Sequence, residues 1–201
     1  MTITNVFIDF GGVIVRTEDK GPRTRLAERL GISYRDLEKI FFESESSQRA
    51  STGEIPEDAH WQAVASVLGL SIPKSKKVID EFFSGDQADA ALLDYLRSLR
   101  PQRKVALISN AWSGLRDFIT RQKFDDVFDK MIISAEVGVM KPDPRIYRLA
   151  LESLGAAPAE SVFVDDVIVN VEAARSVGMS AIHFTKPEKA LEELKLLMDK
   201  K

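Results

Sequence analysis

Apolar residues in this chain follow two rhythms, and the change between them divides it. From residue 88 onward, short apolar runs alternate with stretches whose apolar positions recur every three or four residues. The runs Lys104-Val-Ala-Leu-Ile-Ser109, Met131-Ile-Ile-Ser134, Ser161-Val-Phe-Val-Asp165 and Ser180–Thr185 read as strands, as does Val6-Phe7-Ile8 near the start. Between them Leu92–Leu99, Gly114–Gln122, Pro144–Leu154, a stretch from about Asn170 to Gly178, and the tail from Pro187 read as helices. Pro144 and Pro187 stand where a helix begins, Gly155 and Gly178 where one stops. Strands alternating with helices predict an α/β fold, with a parallel sheet covered on both faces.

Residues 16–87 have a different texture. Thr24–Leu30, Ser33–Phe42, Pro56–Leu68 and Ser75–Phe83 each carry the helical spacing, which predicts four short helices and no strand. Glycines at 21, 31, 53, 69 and 85 punctuate them. A helical insertion after the first strand of a parallel sheet lies beside the carboxyl ends of the strands, where such sheets bind ligands. It is a candidate lid. The chain has no internal repeat and no low-complexity tract.

Composition narrows the choices mainly by exclusion. At 201 residues, 44% hydrophobic and 29% charged, the chain fits one globular domain with a modest insertion. A net charge of −3 offers no footprint for nucleic acid or an anionic membrane surface. There is no cysteine, so disulfides, thiolate nucleophiles and thiolate metal sites are excluded. No basic segment precedes an apolar stretch at the start, and no apolar run approaches the ~20 residues of a membrane helix. A soluble cytoplasmic protein is expected.

Candidate chemistry sits at strand ends. The phrase Val6-Phe7-Ile8-Asp9-Phe10-Gly11-Gly12 puts a carboxylate at the tip of an apolar run, then glycines that let backbone approach whatever the acid holds. Ser109-Asn110, Lys141 in Gly138-Val-Met-Lys-Pro-Asp143, and Asp165-Asp166 occupy the corresponding tips or the loops after them. In a parallel sheet these tips share one edge, so the groups can converge. Three carboxylates in one pocket repel strongly at reduced dielectric. A divalent cation resolves the repulsion, and an all-oxygen set favours magnesium. A hydroxyl, exposed amides and an ammonium beside it suit an oxyanion such as phosphate. His60 and His183 tempt as bases but read as structural, and Trp112 as a packing residue or a stacking surface for substrate.

The order of these motifs, with a single aspartate first, an acidic pair last and a helical insertion between, resembles the haloacid dehalogenase (HAD) superfamily of hydrolases. Phe163-Val-Asp-Asp-Val-Ile-Val-Asn-Val-Glu-Ala-Ala-Arg-Ser-Val-Gly178 and Gly138-Val-Met-Lys-Pro142 carry much of the likeness, which covers nearly the whole chain and is closest to the phosphatase branch. The resemblance implies a Rossmann-like core from residues 1–15 and 88–201, with a four-helix cap at 16–87. It implies that Asp9 is the nucleophile and that Ser109, the Asn110 amide, Gly12 and Lys141 hold the phosphate. Lys141 also orients Asp9. Asp9, the Gly11 carbonyl, Asp166 and Asp165 would hold magnesium, with Asp165 as ligand or water-mediated support, and Asn170 would brace the acidic loop.

At Gly11 the chain departs from the pattern. The family's phosphatases carry an aspartate there, whose side chain protonates the leaving group and then activates water. General acid–base assistance of that kind is commonly worth ~10²–10⁴ in rate. The leading expectation is a magnesium-dependent phosphatase of a small phosphorylated metabolite, with weakened acid–base help. A halide-displacing hydrolase of the same fold is the alternative, although dehalogenases do not retain the acidic pair. A binding or scaffold protein that has lost turnover is another. Selectivity is expected from the cap and from the loop after Gly12, with Arg16, Gln48 and Arg49 as candidates.

Overall fold

The computed structural model describes residues 2–199. The chain opens with β1 (Asn5–Ile8) and the short β2 (Val15–Thr17). A helical insert follows: α1 (Gly21–Leu30), α2 (Tyr34–Glu38) running on through a π-helical turn at Lys39–Glu43, α3 (Glu45–Ser51), α4 (Glu57–Val67) and α5 (Ile72–Phe83). β3 (Asp86–Ala88) ends it, and α6 (Ala90–Leu99), β4 (Lys104–Ser109), α7 (Leu115–Arg121) and β5 (Lys130–Ile133) come next. The single turn α8 (Ser134–Val137), α9 (Pro144–Leu154), β6 (Ser161–Asp165), α10 (Ile168–Ser176), β7 (Ser180–His183) and α11 (Pro187–Asp199) complete it.

The main sheet has the order β5-β4-β1-β6-β7, and every pairing in it is parallel. β1 lies at the centre, with Phe7 beside Ala106 on one neighbour and Phe163 on the other. Successive strand residues point to opposite faces, and both faces are buried, which is why β1 and β6 read as continuous apolar runs. Val6, Ile8, Leu107 and Val164 pack one face under Leu92, Leu96 and Ile119 of α6 and α7 and Leu194 of α11. Phe7, Ala106, Ile108 and Phe163 pack the other under Ile146, Tyr147 and Ala150 of α9 and Val171 of α10. The expected α/β class is therefore present, a parallel sheet wound on both sides with a helical insert.

Two expectations need correction. Residues 16–87 were expected to hold no strand, yet Val15–Thr17 and Asp86–Ala88 pair antiparallel as a ribbon where the chain leaves and re-enters the core. Its two strands have three residues each and are largely polar, so they show no apolar alternation. The insert also contains a fifth helix, α3. Its sequence Glu-Ser-Ser-Gln-Arg-Ala-Ser has no apolar stripe; what starts it is the Ser44 hydroxyl, accepting from the Ser47 amide at 3.3 Å.

Candidate active site

Register alone gathers the predicted groups. β1 lies between β4 and β6, so Asp9 just past β1, Ser109 ending β4 and Asp165 ending β6 stand side by side at the carboxyl edge. The Asp9 amide donates to the Val164 carbonyl at 2.9 Å, which holds its backbone in line with the sheet. Asp9, Ser109, Asp165 and Asn170 are all buried. Lys141 enters from the loop between α8 and α9, only 4% exposed, with its Nζ 2.7 Å from Asp9 Oδ1 and 2.7 Å from Asp165 Oδ2.

That loop is locked from the neighbouring tip. The Asn110 side chain accepts from the Lys141 amide at 2.7 Å and donates to the Lys141 carbonyl at 2.8 Å. Asn110 therefore uses its side chain to fix Lys141, a role the sequence did not suggest. Asp165 is tied as firmly: besides Lys141, it accepts from Asn170 Nδ2 at 3.0 and 3.2 Å and from the Val167 amide at 2.8 Å. Tyr147 on α9 donates to the Asn170 carbonyl at 2.9 Å and so holds that brace from behind.

Asp166 differs from its neighbour. It is partly exposed and borders a cavity of about 510 Å³ lined also by Gly12, Arg16, Thr17, Glu18 and Thr185. A side-chain oxygen from each of Asp9, Asp165 and Asp166 lies within 4.8 Å of the others. Burial raises the Asp9 pKa to about 7, with the Asp165 charge adding to the rise and Lys141 opposing it. Asp166 is raised as well, by burial first and then by Asp165. Both shifts come first from burial of the carboxyl group, and the neighbouring Asp165 charge adds to each. An all-oxygen donor set carrying excess charge fits a hard divalent cation.

The two glycines after Asp9 do different work. Gly12 has φ +80°, and a Cβ there would lie 2.2 Å from Asp166 Oδ2, so only glycine lets the acid close over the backbone. Gly11 lies outside the left-handed region, and a Cβ there meets nothing within 4 Å. Glycine at position 11 is not required by sterics.

None of the remaining candidates is among the residues whose side chains converge at the three acids. His60 on α4 is fully buried between the rings of Trp61 and Trp112, with Nδ1 2.9 Å from Ser46 Oγ. His183 Nε2 lies 3.0 Å from the Asp166 carbonyl. Arg16 braces the ribbon through the Val13 carbonyl, Asp89 and Glu18. Gln48 and Arg49 bond within the insert, to the Glu43 carbonyl and to Glu54. Sequence reasoning missed Glu57, whose Oε2 accepts from the Gly114 amide at 2.6 Å and joins the insert to the loop after β4. It looked like an ordinary first-turn acid of α4.

Fold and site together define a doubly wound parallel α/β protein with a carboxylate–lysine cluster at the carboxyl edge of its sheet. The model of the haloacid dehalogenase-like hydrolase family matches residues 3–178, and the chain belongs to that family of enzymes. It is 28% identical over 187 residues to a D-ribitol-5-phosphate phosphatase of Bacteroides thetaiotaomicron, covering 88% of this chain and 89% of that protein. It is 29% identical over 169 residues to a sesquiterpene phosphatase of Aspergillus oryzae, covering 83% and 86%. Its fold matches, with a TM-score of 0.75, the crystal structure of a HAD family enzyme from B. thetaiotaomicron in complex with magnesium and inorganic phosphate, at 24% identity over 90% of this chain and 93% of that one.

Proposed function

We propose that this protein is a magnesium-dependent phosphatase of small phosphorylated compounds, working through an aspartyl phosphate on Asp9. The observation that carries the reading is the convergence of Asp9, Asp165 and Asp166 within 4.8 Å, with Lys141 bridging the first two. The named relatives agree with it: both are phosphatases, although their leaving groups, a polyol and a sesquiterpene, have little in common.

Asp9, Asp166 and the Gly11 carbonyl would hold the magnesium ion, with Asp165 beside them as ligand or support. When bound, the ion supplies positive charge against which phosphate oxygens and carboxylates can approach one another. Asp9 attacks phosphorus in line, and the bond to the leaving oxygen breaks as the carboxylate–phosphorus bond forms. Lys141 directs an ammonium at Asp9 and at the incoming charge. Ser109, the Asn110 amide and Gly12 form the phosphate cradle. Water then attacks the aspartyl phosphate, which releases inorganic phosphate and restores the carboxylate.

With no side chain at position 11, the leaving oxygen takes its proton from water. Good leaving groups should therefore react fastest. Phosphoryl transfer depends mainly on positioning and charge stabilisation, so turnover survives the loss.

The test is release of inorganic phosphate from an aryl phosphate with added magnesium. Release is expected in the wild type, and chelation or Asp9→Asn should abolish it. Gly11→Asp, which the open space at that position accommodates, should raise turnover of an alkyl phosphate by about 10²-fold and that of an aryl phosphate by less. Halide release without metal would replace the reading with dehalogenation; ligand binding with neither activity would replace it with a binding role.

A further inference from the structure

The loop that leaves β4 is gripped from both sides. On the core side, Asn110 holds Lys141, and the Ser134 hydroxyl accepts from the Ala111 amide at 3.0 Å. On the other side the insert takes hold of the next residues. Trp112 lies in a nest of insert rings: parallel to Phe42 at 6.0 Å between centroids, edge-on to Trp61 at 4.7 Å, and against His60 at 4.8 Å. Its indole N–H donates to Ser47 Oγ at 3.3 Å. Two residues on, the Gly114 amide donates to Glu57. Close backbone approach at Gly53, where a Cβ would fall 2.3 Å from the Ala135 carbonyl, seats the insert on α8 next door.

A continuous route thus runs from the insert to Trp112, back along the peptide chain to Asn110, from Asn110 to Lys141, and from Lys141 to Asp9 and Asp165. The covalent connection between insert and core runs through the β2–β3 ribbon. We propose that Trp112 is a positioning residue: through it the insert sets the geometry of the Ser109–Asn110 phosphate turn and of Lys141, so that phosphate is bound tightly only with the insert seated. The inference rests on the phosphatase reading of that turn. Trp112 touches none of the reacting atoms in this account, and its effect passes through Asn110.

The chain's two tryptophans, Trp61 and Trp112, both lie in this nest, which provides a direct readout. In Trp61→Phe, the emission of Trp112 alone should shift when inorganic phosphate is added with magnesium. Trp112→Ala should raise the inhibition constant of inorganic phosphate and the KM of an aryl phosphate together, and lower kcat/KM by about 10²-fold, the cost of a small misplacement of reacting groups. The magnesium activation constant should change less than the phosphate inhibition constant, because the route from Trp112 reaches Asp9 only through Lys141 and does not run to Asp166. Trp112→Phe, which keeps a ring in the nest, should recover most of the loss. Glu57→Ala loosens the same loop from its other anchor and should weaken phosphate in the same direction by a smaller factor; it carries the test if Trp112→Ala fails to fold. Unchanged phosphate inhibition in Trp112→Ala or Glu57→Ala, while the wild type binds phosphate and turns over, would overturn the proposal alone. A wild type that neither binds phosphate nor hydrolyses the ester would overturn the phosphatase reading, and this inference with it.

Discussion

The strand-edge site and the helical insert each bury one cation beneath an aromatic ring, and they use it differently. In the site, Lys141 Nζ lies 5.4 Å from the Phe163 ring centroid and pairs with two acids of the carboxylate cluster. In the insert, Arg23 Cζ lies 4.1 Å from the Phe82 ring centroid. Its guanidinium donates to the Phe82 carbonyl at 3.1 Å, to Glu38, and to both oxygens of Asp86 at 2.8 and 2.9 Å. Arg23 therefore closes its own network and clips α1 to the ribbon. The Lys141 network stays open at Asp166, where excess negative charge remains for a ligand to meet. A buried ion pair by itself does not mark a site; one left short of positive charge does.

Breaking each network tests the contrast. Lys141→Met strands two buried carboxylates and should cost about 5 kcal/mol in urea unfolding, together with all turnover. Arg23→Met strands Asp86 and takes a partner from the more exposed Glu38, and should cost about 3 kcal/mol while leaving magnesium affinity intact. Equal losses of metal binding in the two variants would erase the distinction between them.

A third effect belongs to the insert alone. Burial depresses the His60 pKa from 6.5 to about 4. In that window the unfolded chain takes up a proton that the folded one refuses, so stability is complete above the ordinary histidine value and is lost as pH falls toward about 4. The loss should reach about 3 kcal/mol near the bottom of that range, seen as a falling urea midpoint, and His60→Phe should flatten the slope. Smallest is the contrast between the glycines. Gly12→Ala should destabilise by about 1–2 kcal/mol through its left-handed backbone, and should weaken magnesium by displacing Asp166. Gly11→Ala should change both by little.

Legibility in the sequence followed the same division. Asp9, Ser109 and the Asp165-Asp166 pair stand at the ends of apolar runs, and parallel topology converts that one-dimensional position into convergence; Lys141 was legible only from its loop motif. What joins the insert to the core was not readable. The ribbon is too short and too polar to show a period, α3 has no apolar stripe, and Glu57 and Trp112 form contacts across more than fifty residues of sequence. The Asn110 latch was hidden for another reason. Its residue was identified, but that its side chain turns to Lys141 is settled only by the loop's path.

The vacancy beside Gly11 also bears on how such an enzyme diverges. Its neighbour Gly12 is bound by geometry to remain what it is, while position 11 can acquire or shed a proton-carrying group without disturbing the scaffold. On the phosphatase mechanism proposed above, reaction speed and substrate range would drift at that single address over evolutionary time, with the architecture around it unchanged.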